Sequence, residues 1–411
     1  MWVRVKLDIG WSDLAFGLRR CLFAPDRAEL ERRLERWFSS AGDAIVCFSV
    51  RSGFDLALQA LDLPPGSEIL FSALNIKRMV KIAQRQALLP VPLDLDLDRM
   101  LPKPDAIERA LTPRTRALVL APLFGTRPDP TPLIAVARRH GLRVIEDCAQ
   151  AFSGRGYGGH ADADISMFSF GPLKFATALG GALLRVRDPA LLEAMQKLQA
   201  DYPVQPTRAY AGRLLKFTGL KLVTARPVLG ALTRALRIAG HDYEDALSDS
   251  VRGVASLGSA TQIRRRCSVA MLALLEQRLL GFEPARLEQR SRSGRRLLDL
   301  LAGVVVCPGA QNPVHHFWAF PILVDDPDAV MRALRRAGFD AATLRRSATV
   351  TPPADRPQLD PVAAREALAR LLVLPCYEGM PDRELRRQAA VIRRACAPRP
   401  RSACIPTPGC A

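Results

Sequence analysis

Lysine is scarce in this chain. Only eight of its 59 basic residues are lysine (Lys6, Lys77, Lys81, Lys103, Lys174, Lys197, Lys216 and Lys221), and the other 51 are arginine. Chemistry that needs a free amine therefore has few candidates, because a guanidinium cannot act as one. Histidine is scarcer still. His140, His160, His241, His315 and His316 make no metal-ligand spacing with the nine cysteines. The adjacent His315 and His316 point apart on a strand, which suits a structural or substrate-lining role better than a ligand pair. The cysteines are odd in number and scattered, with no C-x-x-C, which favours reduced thiols over a disulfide framework. No uncharged apolar run approaches the ~20 residues that span a bilayer. Residues 1–20 carry charge throughout and lack the apolar centre of a signal peptide. Aromatics make up 6% of the chain, and no basic run is interleaved with them. Nucleic-acid binding is therefore not expected.

What is present is ordinary globular material: 411 residues, 48% hydrophobic and 24% charged, enough for one large domain and a smaller one. The net charge of +18 comes mostly from arginine spread along the whole chain. Such a surface attracts phosphorylated metabolites or anionic lipid without specifying either. From residue 44 to 186 short apolar runs alternate with helical patterns. Strands are expected at Ile45–Val50, Glu68–Phe71, Leu89–Leu93, Ala117–Ala121, Arg143–Glu146, Ile165–Phe170 and Ala182–Val186. Helices are expected at Leu56–Leu61, Ile76–Gln86, Pro104–Ala110 and Pro132–His140. The alternation predicts an α/β fold with a mostly parallel sheet and helices on both faces. Residues 187–290 read as helical. Residues 303–398 read as a small α+β domain, with strands at Val304–Cys307 and Phe317–Val324 and helices at Pro327–Ala337 and Asp382–Cys396. The divisions expected are 1–43, 44–200, 201–260, 261–300 and 301–398, with a disordered tail from Arg399.

Two expected strands end in groups with chemical potential. Leu142–Glu146 runs into Asp147, and a carboxylate at the end of a buried strand needs a partner. A protonated pyridine nitrogen is one such partner, and pairing with Asp147 would hold that ring cationic. Gln150 stands one short turn on and can reach a phenolic oxygen of the same ring. The run Phe168-Ser169-Phe170-Gly171-Pro172-Leu173 delivers Lys174, followed by Gly180-Gly181. A lysine there can form a Schiff base with a carbonyl cofactor, or be a solvated surface residue. Ser169 can bind phosphate. Upstream, Ser52-Gly53 lies where a strand passes into a helix. A helix N-terminus offers free N–H groups to an anion, and Gly53 permits close approach. The plainer reading is N-capping by Ser52.

These segments, in this order, resemble the DegT/DnrJ/EryC1/StrS family of pyridoxal-phosphate-dependent sugar aminotransferases. The resemblance covers about residues 50–396. It is strongest in Val144–Ala151, Phe168–Lys174 and Leu374–Met380, with support from Pro65–Leu70, Pro92–Asp96 and Leu123-Phe124-Gly125. It implies the aspartate aminotransferase type I fold, with a seven-stranded sheet and a small C-terminal domain. It implies pyridoxal 5'-phosphate as cofactor, Lys174 as Schiff-base and proton-shuttling residue, Asp147 as pyridinium partner and Gln150 as phenolate contact. Ser169, Gly53 and the Phe54 backbone would hold phosphate. Ile76 would cover the ring, and Arg266 would reach the phosphate of a neighbouring subunit across a homodimer interface. The reaction implied moves an amino group, from glutamate, to a nucleotide-linked keto sugar in polysaccharide or glycoconjugate biosynthesis.

The chain also departs from the family. Phe54 replaces a threonine, Ile76 an aromatic residue, Gly171 a side chain before the proline, and Arg264 an asparagine. Residues 203–258 exceed the family pattern. They read as two basic, apolar helices broken near Pro227, with Leu229, Leu232 and Leu236 on one face. Such a segment can lie on an anionic membrane surface through residues 210–240, or pack as a flap on its own domain. A cytoplasmic protein, in the first case peripheral at the inner membrane face, is expected. A ketone outside the sugars and a non-catalytic membrane scaffold are the other functions considered.

Overall fold

The computed structural model describes residues 1–4, 6–225, 228, 260–344 and 347–397. Helices α1 (Trp11–Leu22) and α2 (Arg27–Phe38) precede β1 (Ala44–Cys47) and α3 (Val50–Leu61). Next come β2 (Glu68–Ser72), β3 (Leu74–Ile76), α4 (Lys77–Arg85), β4 (Leu89–Leu93), β5 (Leu95–Asp96), β6 (Leu101–Pro102) and α5 (Pro104–Ala110). They are followed by β7 (Thr115–Leu120), α6 (Thr131–Arg139), β8 (Arg143–Asp147), β9 (Ile165–Ser169) and β10 (Ala182–Val186). A helical stretch contains α7 (Pro189–Ala200), α8 (Thr207–Val223), α9 (Ala260–Ile263), α10 (Val269–Leu280) and α11 (Pro284–Leu301). The last elements are β11 (Phe320–Leu323), α12 (Pro327–Arg336), β12 (Ser347–Thr349), α13 (Val362–Arg370), β13 (Leu371–Leu374) and α14 (Asp382–Cys396).

The seven-stranded sheet has the order β1-β10-β9-β8-β7-β2-β4. Only β10 runs antiparallel to its neighbours; the other pairings are parallel. Alternate residues sort to the two faces. Ile69, Phe71, Val119, Ile145, Met167 and Leu184 pack beneath α3, α4 and α7. Leu70, Val91, Leu118 and Val144 pack against α5 and α6. At the β1 end of that second face, Val46, Phe168 and Leu183 meet α1, α2, α8 and α10. Both faces are thus covered, which is why these strands read as continuous apolar runs rather than alternating ones.

The C-terminal region builds its own core from Phe320, Ile322, Leu334, Leu372, Leu385 and Ile392. Its β11–β13 pair is antiparallel. Val304–Cys307 is not a strand. It contributes a single bridge, Val306 to Leu323, because the chain turns at once through Pro308-Gly309. Helix α8 is the described part of the segment 203–258, which the sequence leads one to expect beyond the family pattern. Its Tyr210, Leu214, Phe217 and Leu220 are buried in the core shared with α1 and α10, so this apolar stripe is used within the fold. Leu215 and Leu222 stay exposed on its outer side. Pro227, Leu229, Leu232 and Leu236 lie outside the described residues, as does the tail from residue 398. Among the described residues no helix is long and apolar enough to cross a membrane, and the seven cysteines are free.

Glu35 on α2 is a half-buried acid in this layer. Its Oε1 accepts the Val46 N–H at 3.1 Å. Burial raises its pKa from 4.5 to about 7; the Val46 bond opposes this and Glu31 adds to it. Between those values the folded chain binds more protons than the unfolded one, so stability falls as pH rises from 4.5 through 7. Glu35→Gln keeps an acceptor and removes the charge. It is expected to leave stability unchanged near pH 4 and to raise it by about 2 kcal/mol at pH 8. Denaturant unfolding at the two pH values checks this; equal shifts at both would contradict that account.

Candidate active site

Lys174 sits just beyond the carboxyl end of β9. Its N–H donates to the Gly171 carbonyl at 3.0 Å, closing a turn through Pro172 and Leu173. The loop returns to β10 through Ala176 (φ 49°), Leu179 (φ 58°) and Gly181 (φ 86°). Left-handed backbone at non-glycine residues costs about 1 kcal/mol or more each, so something must hold it. The buried Thr177 hydroxyl donates its one proton to the Gly171 carbonyl at 2.6 Å, with the Phe170 carbonyl 3.1 Å away, and accepts the Leu179 N–H. Asp8 accepts the Ala176 N–H at 2.7 Å. The loop is therefore tied from inside and from the first residues of the chain.

The Lys174 amine is desolvated although the residue as a whole keeps some exposure. Burial lowers its pKa to about 8, and the Asp147 charge opposes that shift. Nζ lies 4.1 Å from the centroid of the Trp318 ring, a cation–π distance. Asp147 ends β8. Burial raises its pKa, opposed by a 3.1 Å hydrogen bond from the Ala149 N–H and by the Lys174 charge. Among the described residues only Oδ1 accepts a hydrogen bond, which leaves Oδ2 for another donor. Gln150 follows on the same turn. Its Oε1 accepts the Phe124 N–H at 2.6 Å, leaving the amide NH2 for an acceptor.

Trp318 enters from the C-terminal region and is fixed from three sides. Its Nε1 donates to the Leu173 carbonyl at 2.8 Å. Arg290 donates to the Phe317 and Trp318 carbonyls at 2.6 and 3.0 Å. Gly125, at φ 88°, leaves no room for a Cβ, which would lie 2.6 Å from the Trp318 nitrogen. The Leu123-Phe124-Gly125 motif thus joins the sheet to the C-terminal region. A cleft beside Lys174 is lined by Lys6, Asp8, Arg286, Arg290, Trp318 and Glu378. Glu378 pairs there with Arg286 at 3.0 Å and Arg290 at 3.4 Å.

The sheet register brings the other expected residues toward this end. Cys47, Ala182 and Ser169 lie side by side on β1, β10 and β9. The start of α3 therefore stands near Ser169, whose hydroxyl accepts the Gly171 N–H at 3.4 Å. The details differ from the expectation at Ser52-Gly53-Phe54. Helix α3 begins at Val50 with Ser49 as its cap, because the Ser49 hydroxyl accepts the Ser52 N–H. The Ser52 hydroxyl instead donates to the Ile263 carbonyl at 2.6 Å. The Gly53 N–H is bonded to the Ser49 carbonyl. Gly53 serves packing, since a Cβ there would stand 2.7 Å from Leu184. Phe54 is fully buried and meets Phe71 edge-on. The N–H groups left free by helix geometry are those of Val50 and Arg51.

Ile76 caps α4 and is 42% exposed. Arg266 donates to the Tyr202 carbonyl at 3.2 Å, ahead of α10. Arg264 pairs with Asp55 of α3 at 2.8 Å. His315 accepts the Phe317 N–H and stacks on that ring, and burial lowers its pKa to about 3. Asp94 accepts the Ala363 and Ala364 N–H groups at the start of α13, so it caps a helix. Trp318, Arg290 and Asp8 were not singled out in the sequence. Their contacts span 145, 27 and 168 residues, and no local pattern marks them.

The model of the DegT/DnrJ/EryC1/StrS aminotransferase family matches residues 21–393. The chain belongs to that family. One relative of this family member is L-glutamine:2-deoxy-scyllo-inosose aminotransferase of Streptomyces kanamyceticus, 29% identical over 69% of this chain and 63% of the relative. Another is UDP-N-acetyl-3-dehydro-alpha-D-glucosamine 3-aminotransferase of Acidithiobacillus ferrooxidans, 37% identical over 38% of this chain and 42% of the relative. The chain thus spans less than two thirds of the length of these relatives. Its fold is that of an aminotransferase from Streptoalloteichus hindustanus (TM-score 0.69, 18% identity, 96% of this chain and 98% of that one). It also matches DesV of S. venezuelae (TM-score 0.67, 20% identity, 95% of each chain).

The family implies pyridoxal phosphate, and the residues of this member fit it. The unpaired Asp147 Oδ2, the free Gln150 amide and the desolvated Lys174 amine match a ring nitrogen, a phenolic oxygen and an aldehyde carbon in kind.

Proposed function

We propose that this chain is a pyridoxal-phosphate-dependent aminotransferase that transfers an amino group from an amino acid to the keto group of a nucleotide-linked sugar. The observation that carries the reading is the desolvated Lys174 amine facing the Asp147 charge, in a chain of this family. When bound, the cofactor supplies an electron sink for the carbon that loses its proton. Asp147 holds positive charge on the ring nitrogen. Lys174 would serve as the acid–base group that moves the proton of the donor's Cα, and a pKa near 8 suits a group that must both take and return a proton. Gln150 holds the phenolic oxygen. Ser169 and the start of α3 hold the phosphate, and the exposed Ile76 covers a ring face. Arg266 reaches the phosphate of a partner subunit in a homodimer. A nucleotide-linked substrate suits a basic cytoplasmic protein that serves polysaccharide or glycoconjugate synthesis.

The relative named for a UDP-linked 3-keto sugar supports this acceptor. The relative named for 2-deoxy-scyllo-inosose favours a second reading, a carbocyclic ketone, with glutamine beside glutamate as donor. The test offers the loaded protein glutamate or glutamine with a UDP-linked 3-keto sugar or an inosose, and follows the aminated product by mass spectrometry. Amination of the nucleotide sugar at least tenfold faster than of the inosose is expected. The reverse order would give the acceptor to the carbocycle, and no product with either would sink both readings.

A further inference from the structure

Arg51 and Arg213 stand at the start of α3, and among the described residues neither makes an ion pair. Arg51 is the second residue of that helix, where the backbone already carries partial positive charge. Among the described residues it makes no hydrogen bond and no ion pair. Burial, with the charges of Arg78 and Arg213, depresses its guanidinium to about 10. Arg213 comes from α8, in the segment expected to exceed the family pattern. Its guanidinium lies 5.8 Å from the ring of Phe48, the residue before the Ser49 cap. It donates to the Leu179 carbonyl at 3.0 Å, in the loop that follows Lys174. Gly180 makes room for it, since a Cβ there would stand 3.0 Å from Nη1. Arg213 is also largely buried, which lowers its pKa, and among the described residues it makes no ion pair.

Two like charges held in a partly desolvated place are costly unless an anion joins them. The place is chemically specific. It lies between the free N–H groups of Val50 and Arg51 and the Lys174 loop, on the sheet row that ends in Ser169. It also answers a deficit in this chain. Phe54 brings no hydroxyl to a phosphate, and the Gly53 N–H is already bonded.

We propose that Arg51 and Arg213 grip the phosphate of the cofactor at the start of α3, so that the extra segment of this chain supplies a phosphate ligand. This rests on the reading of the cofactor as pyridoxal phosphate. Two guanidiniums on one phosphate are charge-assisted and bidentate, the strongest arrangement that side chains offer.

The test compares pyridoxal phosphate with pyridoxal, which lacks the phosphate, in absorbance titrations of the wild type, Arg51→Gln, Arg213→Gln and Arg213→Lys. Each glutamine variant is expected to weaken pyridoxal phosphate about ten- to hundredfold and pyridoxal less than about twofold. Arg213→Lys should recover part of the loss. Orthophosphate should raise the melting temperature of the wild type and not of the double glutamine variant. Equal weakening of both ligands, or weakened UDP binding with pyridoxal phosphate unchanged, would overturn the assignment. Arg213 also supports a loop carbonyl, so if its variant does not fold, Arg51→Gln decides alone, because among the described residues Arg51 has no partner. If the wild type binds no pyridoxal phosphate, the reading beneath fails, and the orthophosphate shift still decides whether the arginines form an anion site.

Discussion

Lys174→Ala removes the visible absorbance band that added pyridoxal phosphate is expected to give the wild type, and it lowers amine transfer by about four orders of magnitude. The reason lies in the amine and not in its charge. Lys174→Arg keeps a cation over the Trp318 ring and is expected to lose the band as completely, because a guanidinium cannot attack the aldehyde. The pH dependence follows from the same residue. The neutral amine is the nucleophile. At an ordinary lysine value of 10.5 about one molecule in a thousand is neutral at pH 7.5, whereas at about 8 roughly a quarter is. Loading of the cofactor should therefore accelerate as pH rises toward 8 and level off above it. Stopped-flow absorbance against pH checks this. A rate still climbing tenfold per pH unit above 9 would mean that Lys174 is not desolvated as described.

Asp147→Asn is the second large effect. Asparagine keeps the oxygen that accepts the Ala149 N–H, so the turn into Gln150 should survive. What goes is the charge proposed to hold the ring nitrogen protonated. The half-reaction with the amino donor is expected to slow by about three orders of magnitude, with the cofactor still bound. The same change reaches Lys174. The Asp147 charge raises the lysine pKa against burial, so its loss lets the pKa fall below about 8. The pH midpoint for cofactor loading should move down as the half-reaction slows. A slowed half-reaction with an unmoved midpoint would separate the two residues, and full activity would remove Asp147 from the mechanism.

The strands of the large sheet were legible because burial on both faces makes each a compact apolar run between turn residues. Leu89–Leu93 and Ala182–Val186 are found with the expected bounds. The start of α3 was not legible. Ile45–Val50 reads as one apolar strand, yet the chain leaves the sheet after Cys47, where Ser49 can cap a helix. Strand β13 was missed because it follows α13 with no turn residue between them. The chemistry-bearing pair Asp147 and Lys174 stood out since each follows a strand. Trp318 and Arg213 did not, because what places them is contact with a loop far away in sequence.

Strand order also sets an order of assembly. The parallel strands β2, β4, β7, β8 and β9 can form as each leaves the ribosome. Strand β1 cannot join them, since its only partner in the sheet is β10, which appears roughly 135 residues later. At about 5–20 residues per second that is a wait of roughly 7 to 27 s. During it an apolar edge stays unpaired, and the start of α3 has no fixed place. When β10 arrives, it draws β1 to the sheet and closes the Lys174 loop in one event, so the Lys174 end of the sheet is the last to be made.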